Sequence, residues 1–207
     1  MVADTTQLFN DLKRVGIIDR TKPGGWSENE LASFTLSQFV QKGNCLVVVN
    51  TKDWARKLYD RCKENTGEGN VCHLSTNLCP AHRKGILAEV TNRLENEKPV
   101  LCISTQLIEA GVDVDFNSVI RFLAGLDSIA QAAGRCNRNG NLGTADVFVV
   151  NPAEENITML KDIKIGQEKT MRVLSEVEHR DFLSPSAIER YFSYYFHERA
   201  ELMQYPL

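Results

Sequence analysis

No Gly-Lys pair and no Asp-Glu dipeptide occurs in the 207 residues. The chain therefore lacks the glycine-rich loop, ending in a lysine, that cradles phosphates, and lacks an adjacent acidic pair suited to holding magnesium. A Gly-x-Gly-x-x-Gly turn after a strand is missing too, which excludes a Rossmann dehydrogenase. The six cysteines, at 45, 62, 72, 79, 102 and 136, form no Cys-x-x-Cys pair, so a zinc ribbon is not expected. Cys72, His73, Cys79 and His82 are set aside as a metal site because neighbours 72 and 73 point to opposite faces of a strand. No metal ligand is expected, and unpatterned thiols fit a reducing cytoplasm. No apolar run approaches the roughly 20 residues of a membrane span, and no signal peptide precedes the first amphipathic stretch. A basic surplus is absent as well: the net charge is −3, residues 151–207 hold seven Lys/Arg against ten Asp/Glu, and residues 1–150 balance at seventeen each. A large positive field for gripping nucleic acid is excluded, so any such contact rests on a few positioned groups.

What the chain does have is alternation. Residues 1–26 read as a leader, with an amphipathic piece at Leu8 to Ile17 and a turn at Pro23-Gly24-Gly25. Ser27 and Glu30 form a capping box that opens a helix to about Gln41. Beyond Gly43-Asn44 the pattern predicts strand 45–49, helix 53–64, strand 71–74, helix 80–96, strands 100–104 and 118–123, helix 128–138 and strand 145–150. Strands alternating with helices predict an α/β domain over 27–152, a parallel sheet covered on both faces. Residues 153–207 read as a helical extension, with Ser184-Pro185 opening a helix that carries Tyr191, Phe192, Tyr195 and Phe196 at helical spacing. Such a stripe is usually core; here it is read as part of a core that further protein completes.

Two segments carry chemistry. The first is Gln131-Ala132-Ala133-Gly134-Arg135-Cys136-Asn137-Arg138. On a helix capped by Asp127 or Ser128, Gln131, Arg135 and Arg138 share one face, because residues three and four apart are neighbours. Ala132, Ala133 and Gly134 leave room for another surface, and a planar guanidinium matches phosphate oxygens as a lysine does not. The second is Ile103 to Asp113. Thr105 and Gln106 fall where a parallel sheet's carboxyl end opens into a crevice, and hydroxyl and amide groups there bond phosphates without sequence preference. Gly111 permits close backbone approach, and Asp113 can accept from a ribose hydroxyl. The pairing of the segments points to a domain that senses a nucleotide rather than holding one alone. Asn50 and Thr51 either cap the following helix or touch a nucleic-acid backbone. Ser75, Thr76 and Asn77 are either a loop before the Cys79-Pro80 helix start or a second backbone-contact loop, with Arg83 within reach of a phosphate. Trp54 reads as a packing residue sooner than a base-stacking platform.

Thr105 to Asp113 and Gln131 to Arg138 resemble motifs V and VI of superfamily-two helicases, and Leu46 to Thr51 resembles motif IV. The wording Ser104-Thr105-Gln106-Leu107-Ile108-Glu109-Ala110-Gly111-Val112-Asp113-Val114-Asp115-Phe116 is similar to the helicase-nuclease of type I CRISPR interference. His73 to Arg83 and Ala133 to Gly140 look most like the subtype I-C branch. The resemblance spans roughly positions 40 to 175. It implies a second RecA-like domain: Arg135 and Arg138, with Gln131, serve ATP and Mg2+ held by an absent first RecA-like domain, and Gly111 and Asp113 line that cleft. It also implies single-stranded DNA on Asn50, Thr51, Ser75, Thr105, Gln106 and Arg83, with a nuclease domain and a surveillance complex as partners. None of His73, His82, His179 or His197 precedes an aspartate, so the family's His-Asp nuclease motif is missing. The sequence accordingly reads as a piece of a longer protein or one of several partner chains, inactive by itself. The rivals are one half of an RNA helicase and a non-catalytic docking module for the surveillance complex.

Overall fold

The computed structural model describes residues 14–66, 69–109, 112–176 and 181–197. Strands β1 (Val15–Asp19), β2 (Asn44–Val49), β3 (Val71–Leu74), β4 (Val100–Thr105), β5 (Val119–Phe122) and β6 (Ala145–Val150) form one sheet in the order β1-β6-β5-β2-β4-β3. Each neighbouring pair is parallel. The helices are α1 (Glu28–Lys42), α2 (Lys52–Lys63), α3 (Pro80–Glu95), α4 (Leu126–Ala133), α5 (Lys161–Glu176) and α6 (Pro185–His197).

Successive strand residues face opposite sides, so β2 feeds two cores. Cys45, Val47 and Val49 join Leu31 and Phe39 of α1 and Trp54 and Leu58 of α2. Leu46 and Val48 join Val90 of α3, Leu126 and Ile129 of α4, Val173 of α5 and Tyr191 of α6. Burial on both faces is why the strands are nearly continuous apolar runs rather than alternating ones. Ser27 opens α1 as expected: its N–H donates to Glu30 Oε2 at 2.8 Å, and Glu30 N–H donates back to Ser27 Oγ at 3.4 Å.

Two expectations on local structure change. Val15–Asp19, within the stretch read as a leader, is an edge strand, registered Val15 to Ala145 through Asp19 to Val149. Val15, Ile17 and Ile18 are β-branched, and the free edge of β6 supplies the partner that no local period announces. The rest of the amphipathic piece, before residue 14, lies outside the described residues. The helix expected over 128–138 instead runs from Leu126 to Ala133, with Gly125 as its N-cap in place of Asp127 or Ser128. Gly125 is required by close approach: a Cβ there would sit 2.3 Å from Asp127 Oδ1 and 2.4 Å from the Tyr191 hydroxyl, and one on Gly166 would sit 2.8 Å from Gly125 Cα. These glycines let α5 pass directly over the start of α4. On α6, Tyr191 is buried and donates to Asp127 Oδ1 at 2.9 Å, while Phe196 remains 44% exposed. Among the described residues no helix is long and apolar enough to cross a membrane.

Candidate functional site

Chain termination of α4 sets the first part of the site. After Gly134 the backbone turns, and Asn137 takes a left-handed φ of 46°. That conformation is one an asparagine tolerates better than most residues. Asn137 is buried; its Nδ2 donates to the carbonyls of Arg14 (2.9 Å) and Gly143 (2.7 Å), and its Oδ1 accepts from Leu142 N at 3.1 Å. The neighbouring run 113–117 is stitched alongside. Phe116 N donates to Arg135 O and Asn137 N to Phe116 O, both at 2.9 Å. The Asp115 carboxylate accepts from Arg138 N at 2.7 Å and Asn139 N at 3.0 Å. The two chemistry-bearing segments are thus one backbone unit.

This corrects the shared helical face expected for Gln131, Arg135 and Arg138. Gln131 is exposed on the last turn of α4, and the arginines lie beyond the helix. Arg135 turns inward: Nε donates to Ile108 O at 3.2 Å and Nη2 to Glu109 O at 2.7 Å. Burial, with the neighbouring Arg138 charge, holds its guanidinium below the usual arginine range. Arg138 turns outward, its Nε 3.1 Å from Asp113 Oδ1, with the two side chains 43% and 85% exposed. An exposed pair of this kind contributes only about 0–1 kcal/mol, so a phosphate can take Arg138 from Asp113 at little cost. Gly111 lies outside the described residues. Asp113, Asp115, Asn137 and Asn139 line a cleft of about 770 Å³ that continues to Lys42 and Lys98 at the amino edge of the strands.

The opposite, carboxyl edge collects the second set. Register pairs Val49 with Thr105 and Leu74 with Ser104, so Thr51, Ser75 and Thr105 end neighbouring strands together. Thr105 and Gln106 are half-buried and Arg83 is half-buried in the first turn of α3. Thr51 is the N-cap of α2, its Oγ1 accepting from Trp54 N at 3.2 Å. Two residues expected here are withdrawn from the surface. Asn50 is buried, its Nδ2 donating to Leu123 O (2.9 Å) and Glu155 Oε2 (3.1 Å) and its Oδ1 accepting from Arg121 (2.7 Å). Ser75 is fully buried. Trp54 is a packing residue, edge-on to Phe122 at 5.4 Å with Nε1 donating to Glu154 O at 2.6 Å.

Sequence reasoning missed the charged centre between these edges. Arg121 is fully buried in β5, with Nε 3.0 Å from Glu109 Oε1. Its Nη2 donates to Ser128 Oγ at 2.9 Å, and that hydroxyl donates to Glu109 Oε2 at 2.8 Å. Burial pushes the Glu109 carboxyl up and the Arg121 guanidinium down, and each one's charge opposes the other's shift. The signal was available: an arginine inside Val119-Ile120-Arg121-Phe122 demands a buried partner.

The six-stranded parallel sheet and its covering helices form a RecA-like fold. Residues 41–141 match the family described as CRISPR-associated nuclease/helicase Cas3, C-terminal. Two curated relatives bear the name CRISPR-associated nuclease/helicase Cas3. That of Haloferax volcanii is 45% identical over 92 residues, 42% of this chain and 10% of the relative. That of Methanothermobacter thermautotrophicus is 30% identical over 126 residues, 59% of this chain and 15% of the relative. The crystal structure of T. fusca Cas3 shares the fold at a TM-score of 0.69 and 19% identity, over 91% of this chain and 26% of that one. The likeness to the C-terminal domains of this family lies in the 41–141 segment, and the chain spans 10–15% of the length of these curated relatives.

Proposed function

We propose that this domain is the nucleotide-closing, strand-tracking half of an ATP-driven helicase that unwinds DNA in type I CRISPR interference. The observation that carries the reading is the Arg138–Asp113 pair: an exposed, weakly held guanidinium on a backbone fixed by Asp115 and Asn137. The donor set fits one wall of a triphosphate site. It does not fit a magnesium site, since no group of three or more potential ligands gathers among the described residues. ATP and Mg2+ are therefore assigned mainly to a partner RecA-like domain, and ATP supplies the transferable phosphoryl group. On closure Arg138 would exchange Asp113 for the γ-phosphate, and Arg135, tied to the Ile108 and Glu109 carbonyls, would keep the loop in place. Gln131 is assigned to that wall, and Gly111, outside the described residues, is assigned to it from the motif resemblance alone. Thr51, Thr105, Gln106 and Arg83 form the face for single-stranded DNA; Asn50 and Ser75 support it from beneath. A nuclease domain and a guide-RNA surveillance complex complete the proposed set of partners, in the cytoplasm.

The test is Arg138→Ala in a protein that also carries the first RecA-like domain, with saturating DNA. ATP hydrolysis drops by at least about three decades, or roughly 4 kcal/mol, while single-strand affinity stays nearly unchanged. Arg138→Lys rescues poorly, because a point charge does not reproduce the planar fork. Thr105→Ala weakens DNA binding and DNA stimulation instead. Loss of DNA binding with intact hydrolysis in Arg138→Ala would move this loop to the nucleic-acid channel and end the phosphate-sensor reading.

A further inference from the structure

The buried network around Arg121 has no part in the scheme above, yet a guanidinium inside a parallel strand is an arrangement that apolar residues would commonly match or better in stability. Its contacts say what else it does. Nη1 donates to Asn50 Oδ1 at 2.7 Å and Phe122 O at 3.0 Å, which fixes the end of β2 against β5. Nε and Nη2 meet Glu109 and Ser128, the first at the end of the β4 segment and the second on α4. Glu109 is consequently held at three points. Its carboxylate is taken by Arg121 and Ser128, its carbonyl accepts from Arg135 Nη2 at 2.7 Å, and its N–H donates to Gln106 O at 3.0 Å. One end of that chain of contacts is the Thr105–Gln106 turn on the carboxyl edge. The other is Arg135, whose carbonyl is bonded into the 113–117 run beside Arg138.

We propose that Arg121 is a positioning residue that makes Glu109 a rigid link between the Thr105–Gln106 edge and the Arg135–Arg138 loop, so that a nucleic-acid strand on the edge sets the loop for hydrolysis. The proposal rests on the helicase reading and adds to it a residue outside both binding faces. A displacement of the Gln106 carbonyl is passed to Glu109 through one hydrogen bond, and a Glu109 anchored by its carboxylate pivots rather than drifts. Without the anchor, the same displacement is absorbed locally.

The experiment uses the enzyme that carries both RecA-like domains, with a single-stranded oligonucleotide as probe. Glu109→Leu/Arg121→Met removes both charges and keeps the site filled, and Ser128→Ala removes only the bridging hydroxyl. Expected are a ratio of DNA-stimulated to basal ATP hydrolysis that falls about tenfold or more in the double variant and about threefold in Ser128→Ala. The oligonucleotide Kd and the DNA concentration for half-maximal stimulation move less than about threefold, which a merely loosened fold would not preserve. Should the double variant not reach a cooperative thermal transition, Ser128→Ala decides alone. A folded double variant, or Ser128→Ala in that case, that retains its full stimulation ratio overturns the proposal. Arg138→Ala run alongside separates the two readings. If it abolishes hydrolysis while the network variants stay fully stimulated, only the link falls; if it leaves hydrolysis intact, the helicase reading falls and the link with it.

Discussion

Replacing Arg121 by methionine in the 207-residue chain tests whether the charged centre is as dry as the geometry makes it. Arg121 is fully buried and the Glu109 side chain is 6% exposed, so the substitution leaves a carboxylate in the interior with the Ser128 hydroxyl as its remaining donor. It also strips Asn50 Oδ1 of its guanidinium donor. Breaking one side of a buried ion pair costs about 3–5 kcal/mol. In a domain of this size each kcal/mol lowers Tm by roughly 2–4 °C, so a fall of about 6–20 °C is expected. Denaturant unfolding at several pH values supplies the sharper measurement. Burial already raises the Glu109 carboxyl above its ordinary value, against the opposing charge of Arg121. Removing that charge raises it further. A carboxyl whose folded pKa exceeds its unfolded one is stabilised by protonation, so the penalty is largest at neutral pH and shrinks as pH falls through the raised folded pKa. The recovery is at most about 1.4 kcal/mol per pH unit. A penalty below about 1 kcal/mol that does not change between pH 7 and pH 5 would mean that water reaches the pair, and the argument from desolvation would be refuted.

The isolated chain hydrolyses no ATP and binds it no better than about millimolar, roughly −4 kcal/mol, because only one wall of the site is present; turnover abolished by Arg138→Ala would contradict this. Single-stranded DNA binds weakly with a shallow dependence of log affinity on log salt, measured by fluorescence titration. A slope reaching about −5 would reveal a basic footprint absent from the residues named here. Gly166→Ala destabilises by about 1–3 kcal/mol in urea unfolding, since its Cβ would press to 2.8 Å from Gly125 Cα. Gly85→Ala, on α3 where a Cβ meets nothing within 4 Å, stabilises by about 0.4–1 kcal/mol, and equal effects at the two glycines would dismiss the close-approach argument.

The sheet was legible because burial on both faces writes itself as apolar runs: Cys45 to Val49, Val100 to Ile103 and Val147 to Val150 are strands whatever surrounds them. Val15–Asp19 was not, since a five-residue edge strand is made by its neighbour β6 and only then by its own β-branched residues. The site divides in the same way. Arg135 and Arg138 were singled out because guanidiniums close in sequence stay close in space, but the helix assumed to carry them ends early. Asp115 holds the segment that follows, accepting the N–H groups of Arg138 and Asn139 from 23 and 24 residues away. No local pattern encodes an anchor delivered from another segment. The same holds for Asn50, whose type suits a helix cap or a phosphate contact equally, until Arg121, 71 positions on, takes its carbonyl oxygen. What a polar residue does at a strand end is decided by whether a buried charge elsewhere needs it. In this chain one misplaced-looking arginine accounts for the inward turn of Asn50, the burial of Glu109 and the placement of Ser128, and so for which groups remain at the surface to meet a ligand.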